Sequence, residues 1–298
     1  MNNNLPTVLI TGANGQLGNE FRSIAANYPG YEFLFTDLEE LRIDDHSAVA
    51  LFFENRPIHT CINCAAYTAV DKAETEKEIA FSINADAVGN LALVCHHHQV
   101  QFIHISTDYI FDGTATQPYK ETDLTCPVNS YGASKLKGEQ LALQNNPVTI
   151  IIRSSWIYSS FGNNFVKTML RLMKEKEQIS VINDQTGCPT YAMDLAVAIM
   201  QLINLLPATF PKSLGGPLPT VFNYCNTGTT TWFEFAEAIK TFTRSTCKII
   251  PISTEQYPTA AKRPHYSVLN TSKIQETFHL GIPGWKESLQ NCLRILRE

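Results

Sequence analysis

The chain has 298 residues, 44% hydrophobic and 17% charged, enough for one large or two modest globular domains. Its formal net charge is −5 and it carries no basic cluster, which argues against a nucleic-acid partner. No apolar run approaches the ~20 residues of a membrane helix, and residues 1–6 lack the charged start and apolar core of a secretion signal, so a cytoplasmic protein with no membrane partner is expected.

Residues 7–11 (TVLIT) predict a short apolar strand that runs into a glycine loop at 12–18 (GANGQLG), with a helix over about 16–26. A second strand spans 32–36 (EFLFT) and is closed by Asp37. A helix over 46–55 leads to a third strand at 59–65, and a further helix runs to about 98. The fourth strand, 100–105, ends at Ser106. A loop rich in Pro, Thr and Gly then leads to Asn129, and a helix holding Tyr131 continues to about 144. A fifth strand spans 148–152 and ends near Arg153. Short apolar strands alternating with helices predict a parallel sheet with right-handed crossovers. Unbroken apolar runs mark strands buried on both faces.

Beyond Trp156 the pattern loosens. A helix is predicted over 164–176, a strand over 179–182 and a helix over 191–205. Residues 206–220 hold four prolines and the pair Gly215 and Gly216, and predict a loop. Residues 221–225 resemble a return strand, and the remainder mixes short helices and turns. The expected fold is α/β: a Rossmann-like, doubly wound parallel sheet with a smaller, discontinuous C-terminal substrate domain. Residues 1–156 with 190–227 form the dinucleotide-binding domain, and 157–189 with 228–298 the second domain, over the carboxyl ends of the strands where open α/β sheets bind ligands.

Three features that invite a metal or modification reading have plainer ones. Cys61 and Cys64 form a C-x-x-C, but on a strand residues three apart point to opposite faces and cannot chelate one ion. His96, His97 and His98 are neighbours at a helix end, where successive side chains diverge into solvent. The Asn270-Thr271-Ser272 glycosylation pattern is idle without secretion.

The chemistry is concentrated in two places. In the glycine loop, Gly12, Gly15 and Gly18 permit close backbone approach to a pyrophosphate, and the following helix N-terminus favours the anion. Asp37, at the end of the next strand, is placed to bond the adenosine ribose and favours NADH by repelling a 2′-phosphate. Arg42 either pairs with that phosphate, admitting NADPH, or is an ordinary surface arginine. The second place is Ser106 to Tyr109 (STDY) with Tyr131 and Lys135 at i and i+4 on one helix face. There the Lys135 charge is expected to lower the Tyr131 phenol, Tyr131 to transfer the proton, and Thr107 to donate to a substrate carbonyl.

These features, with residues 65–74 (AAYTAVDKAE), 106–113 (STDYIFDG), 131–139 (YGASKLKGE), 153–158 (RSSWIY), 162–170 (GNNFVKTML), 183–190 (NDQTGCPT) and 261–269 (AKRPHYSVL), closely resemble the extended short-chain dehydrogenase/reductases that act on nucleotide sugars. The resemblance implies NAD(P)H-dependent reduction of dTDP-6-deoxy-L-lyxo-4-hexulose at C4, for cell-surface polysaccharide. It implies that Thr107, Tyr131 and Lys135 are catalytic. It assigns the cofactor to Gly12, Asn14, Gly15, Gln16, Leu17, Gly18, Asp37, Leu38, Arg42, Ala65, Ala66 and Tyr67, with Tyr131 and Lys135. It places Thr107, Asp108, Tyr109 and Trp156 around the sugar, and Asn164, Lys167, Gln185 and Arg263 toward the nucleotide or its diphosphate. Relatives often carry Asp where Arg42 stands. Some dimerise through Mg²⁺ held by glutamates; Glu20 matches one, but Met193 replaces another, and a thioether is a poor Mg²⁺ ligand, so no metal site is expected. A monomer or homodimer is expected.

Two other readings compete. A non-catalytic cofactor-binding subunit, like the regulatory subunit of methionine adenosyltransferase, lacks the activity, whereas Thr107, Tyr131 and Lys135 are all present here. A sugar-nucleotide epimerase or dehydratase is the other; dehydratases usually carry an Asp-Glu pair after the strand-end Ser/Thr, where this chain has Asp108-Tyr109.

Overall fold

The computed structural model describes residues 5–206 and 220–297. The first residues read for a secretion signal, and most of the proline-rich stretch expected to be a loop, lie outside these described residues. In chain order the elements are β1 (Thr7–Thr11), α1 (Gln16–Ile24), β2 (Glu32–Thr36), α2 (His46–Glu54), β3 (Ile58–Asn63), α3 (Lys77–Phe81), α4 (Ala87–His97), β4 (Gln101–Thr107), α5 (Ser130–Asn145) and β5 (Ile150–Ser154). Then come β6 (Ile157–Tyr158), α6 (Phe165–Glu175), β7 (Gln178–Ile182), β8 (Thr186–Gly187), β9 (Thr190–Tyr191), α7 (Ala192–Leu205), β10 (Val221–Asn223), β11 (Thr230–Thr231), α8 (Trp232–Thr243), β12 (Lys248–Ile252), α9 (Ser272–Phe278) and α10 (Trp285–Ile295).

Six strands join one sheet in the order β10-β5-β4-β3-β1-β2, every neighbour parallel. The chain leaves β1 toward β2, then returns past β1 to β3, so the direction of winding reverses between β1 and β3. That reversal opens a crevice at their carboxyl ends. The central strands read as unbroken apolar runs because both faces are covered: β1 and β5 are buried at every residue, while the edge strand β2 is only partly buried. Val8 and Ile10 face a core with Phe21 and Ile199, and Leu9 faces the opposite core with Val49, Phe53 and Leu91.

A third apolar cluster gathers Tyr158, Met169, Phe235, Trp285 and Leu289 away from the sheet. It includes a parallel pair, β7 with β12, where only short helices and turns were expected after residue 225. The strand KIIPI carries Pro251, a poor strand residue, and its partner lies 70 residues earlier, so local sequence gives little sign of it. Ile274, Phe278 and Leu280, on and after α9, return to the core of the large sheet.

Residues Lys77–His97 form one helical run of 21 residues through a π-helical turn at Ser82–Asp86, long and apolar enough to span a membrane on length and composition; its most apolar 18-residue stretch has mean hydropathy 1.3. This corrects the expectation that no such run exists. Its apolar side, Val88, Leu91, Ala92 and Cys95, is spent on the core, which accounts for its composition. It ends in His96, His97 and His98, all exposed.

The π turn fixes α5. The Asn84 amide accepts from Tyr67 N at 2.8 Å and donates to Tyr67 O at 3.0 Å and Ser134 Oγ at 3.0 Å. A Cβ on Gly138 would lie 2.0 Å from Asn84 O, so only glycine lets the two backbones approach. Gly138→Ala is therefore expected to destabilise the protein by about 1–3 kcal/mol through overpacking. Gly281→Ala, where nothing lies within 4 Å, should be near neutral. Denaturant midpoints of the two variants test this; equal midpoints would refute the contact.

Candidate active site

The crevice between β1 and β3 is lined by backbone. Gly12 has φ +63°, and a Cβ there would sit 2.6 Å from Ala65 N and Cα, in the loop after β3. Gly18 meets the Ala13 backbone at 2.5 Å in the same sense. Gly15 caps α1 without a side-chain hydrogen bond, leaving the first-turn N–H groups uncapped. A backbone cradle at a helix N-terminus fits a pyrophosphate. Asp37 accepts from Asn14 N and Leu38 N, both at 2.8 Å, and so ties the loop after β2 to the glycine loop. Leu38 is exposed there. Ala65 N donates to Asn63 Oδ1, Ala66 follows it, and the Tyr67 hydroxyl donates to Glu76 Oε2 at 2.6 Å.

Two of the cofactor candidates are placed differently from the rest. Arg42 is exposed and forms a fork with Asp44 at 3.1 and 2.8 Å, so it stands as a surface ion pair rather than a free phosphate partner. Leu17 turns its side chain into the core, leaving only its backbone toward the cradle.

The catalytic candidates meet at the carboxyl end of β4. Asn129 caps α5, accepting from Gly132 N at 2.7 Å, and so sets Tyr131 and Lys135 in the first turns of that helix. Thr107 Oγ1 donates to Asp108 Oδ1 at 3.0 Å and accepts from Tyr109 N at 3.3 Å, with the Tyr131 hydroxyl beside it. The Tyr109 ring packs edge-on to Tyr131 at 5.7 Å. The expectation that Lys135 lowers the Tyr131 phenol is not met. Burial pushes the phenol up to about 12, the Thr107 hydroxyl opposes this, and the Asp108 charge adds to it. Burial likewise pushes Lys135 down to about 8, with Glu139 and Cys64 opposing. Its Nζ donates to Ile105 O at 2.7 Å.

The remaining residues fall into separate groups. Arg263 forms a bidentate pair with Asp71 at 3.1 and 2.7 Å and lies near Tyr109, which brings it beside the catalytic candidates. Trp156 stacks on Trp232 with ring centroids 3.5 Å apart. Its φ of +47° is rare for a bulky residue, and a Cβ on Gly187 would strike the ring at 2.6 Å. Asn164 is spent as the cap of α6, accepting from Lys167 N at 3.1 Å and donating to Gln16 Oε1 at 3.0 Å, so its amide is not free for a nucleotide. Lys167 Nζ donates to Ser160 O at 3.3 Å. Gln185 is buried and donates to Thr254 Oγ1 at 3.0 Å. Glu20 is fully buried in α1 and accepts from Ser159 Oγ at 2.6 Å, and burial raises its carboxyl.

Sequence reasoning missed four residues. Asn63 and His104 sit in the buried strands β3 and β4 beneath Lys135, Asp71 holds Arg263, and Trp232 backs Trp156. For the first two a signal was present: a polar residue inside an apolar buried strand must be satisfied by a partner.

A doubly wound sheet, a backbone cradle at its switch point and a Tyr131–Thr107 pair beside it define a dinucleotide-dependent oxidoreductase site. Comparison with known proteins narrows the class. Residues 6–298 match the family described as RmlD substrate binding domain, and the chain belongs to that family. It is 38% identical to dTDP-4-dehydrorhamnose reductase of Aggregatibacter actinomycetemcomitans over 95% of this chain and 97% of that one. Among solved structures it is similar to dTDP-4-dehydrorhamnose reductase of Bacillus anthracis in complex with NADP, with TM-score 0.91, 38% identity and coverage of 98% and 100%. The enzyme of the same name from Clostridium acetobutylicum gives TM-score 0.90 at 38% identity, with coverage of 98% and 100%.

Burial raises the Asp108 carboxyl to about 6, against the Thr107 hydrogen bond and the nearby Ser267 hydroxyl. The folded state therefore holds this proton more tightly than the unfolded chain, so stability present at pH 4 is lost as pH rises through 6. Asp108→Asn should raise Tm at pH 7 and lose that gain at pH 4. Thermal unfolding at both pH values checks this; a gain larger at pH 4 contradicts it.

Proposed function

We propose that this chain reduces the C4 keto group of dTDP-6-deoxy-L-lyxo-4-hexulose to dTDP-L-rhamnose with NADPH or NADH, in the cytoplasm, as a step toward cell-surface polysaccharide. The observation that carries this reading is the Tyr131 hydroxyl beside Thr107 at the carboxyl end of β4, next to the glycine cradle. Relatives named for this reaction align along nearly the whole chain, and one from Bacillus subtilis is named as a spore coat polysaccharide biosynthesis protein.

When bound in the cradle, a reduced nicotinamide supplies the hydride. The chain supplies the proton and the pose. Tyr131, held near 12, keeps its proton at neutral pH and is matched to an alkoxide as it forms. Thr107 holds the carbonyl oxygen. Lys135, one turn along the same helix face, supplies positive charge as the phenol gives up its proton. Trp156, backed by Trp232, forms a wall for the deoxysugar, and Arg263 meets the diphosphate by sharing or exchanging its Asp71 partner. The cluster around Phe235 and Trp285 serves as the substrate unit, and the protein works as a monomer or homodimer.

Oxidation of NADPH by the purified protein with a panel of dTDP-4-keto sugars tests the reading. Tyr131→Phe should retain fold and cofactor binding and lose about 10²–10⁴-fold in kcat; near wild-type kcat removes Tyr131 from the chemistry. Arg263→Ala should weaken dTDP binding in isothermal titration, whereas Trp156→Ala should lower kcat/KM with little change in dTDP affinity. Unchanged dTDP affinity in Arg263→Ala defeats the anchoring role.

A further inference from the structure

A line of buried polar groups crosses the sheet under Lys135. Thr11 on β1, Asn63 on β3 and His104 on β4 lie side by side in the strand register. Thr11 Oγ1 donates to Asn63 Oδ1 at 2.6 Å, and Ala65 N donates to the same oxygen at 3.2 Å. A backbone N–H can only donate, so this atom is the amide oxygen and the Asn63 NH₂ faces His104 Nδ1 at 3.1 Å. Nδ1 must then be the acceptor, and the one proton of the neutral ring sits on Nε2. The ring is neutral: it is fully buried, and burial together with the Lys135 charge holds it well below its usual range.

Nε2 lies 3.3 Å from Lys135 Nζ. An ammonium has three N–H groups and no lone pair, so it would present a donor to a donor. An amine has a lone pair to accept Nε2–H while it donates to Ile105 O at 2.7 Å. Moving the ring proton to Nδ1 sets Asn63 NH₂ against Nδ1–H, and reversing the amide sets Ala65 N–H against NH₂. Other groups facing Lys135 do not remove the clash. Glu139, on the same helix, is engaged by Arg153 at 2.8 Å, and Cys64 is a half-buried thiol that desolvation pushes upward. Among the described residues Lys135 forms no ion pair.

We infer that His104, held by Asn63 as the Nε2–H tautomer, is a positioning residue that weakens the hold of Lys135 on its proton by donating to its amine form. The effect adds to that of burial, which brings Lys135 down to about 8 against the opposing charges of Glu139 and Cys64. Its consequence for turnover rests on the reading proposed above: reduction needs the Lys135 charge as Tyr131 loses its proton, so activity falls as pH rises through the Lys135 titration.

The test follows the Lys135 ¹³Cε resonance with pH in the full chain, assigned by its loss in Lys135→Met, together with the alkaline limb of kcat/KM. His104→Asn removes the N–H that reaches Lys135 and should move both the titration and the limb upward by ~1 pH unit, a tenfold gain in proton affinity. His104→Gln keeps an N–H at that reach and should stay close to wild type. The ¹⁵N spectrum of His104 in the unmodified protein should show the proton on Nε2. Identical lysine titrations in all three proteins, or a proton on Nδ1, overturn the inference. If His104→Asn does not fold, the tautomer alone decides. The lysine titration uses no substrate, so a keto sugar that is not turned over defeats the proposed function and leaves this result readable.

Discussion

The row of buried polar groups from Thr11 through Asn63 and His104 to Lys135 is the constraint on which the site depends. Each member comes from a different element: β1, β3, β4 and α5. A buried polar group without a partner costs on the order of 1–3 kcal/mol, so the row is stable only when all four elements are in register. It fixes the height of α5 over the sheet, and with it the place of Tyr131 relative to Thr107. The Asn84 amide and the Gly138 contact set the same helix from its outer side.

Burial dominates the electrostatics of the site. It raises Asp108 and Tyr131, which are acids, and lowers Lys135, which is a base. All three shifts favour the neutral form, as desolvation requires. A protonated phenol suits a reaction that consumes a proton. The cradle works by a different means, backbone N–H groups and a helix end, so cofactor and substrate chemistry rest on separate physical devices that meet only at the switch point.

The large sheet was legible because its strands are buried on both faces and its helices intervene at regular intervals. Strands β1 and β2 fall at the expected bounds, and the other predicted strands of the sheet lie within two residues of theirs. The glycine loop and the Tyr131–Lys135 pair were legible as spacings, since a loop's backbone freedom and a helix face are local properties. The β7–β12 pair was not legible, because its pairing is non-local and one strand carries a proline. Nor were the partners of side chains. Arg42, Asn164 and Arg263 could be read as free donors, but each finds an acceptor: Asp44, Gln16 with the Ser159 carbonyl, and Asp71.

The sequence alone thus determined the architecture of the sheet, the cradle and the placing of Tyr131 and Lys135 on one helix face, because periodicity, glycine placement and i, i+4 spacing act over a few residues. Only the tertiary structure decided the protonation of that pair. Burial depth, the His104 tautomer and the engagement of Glu139 by Arg153 all arise from residues far apart in the chain. A charge in a buried site responds to whatever the fold brings beside it, and sequence spacing does not report that.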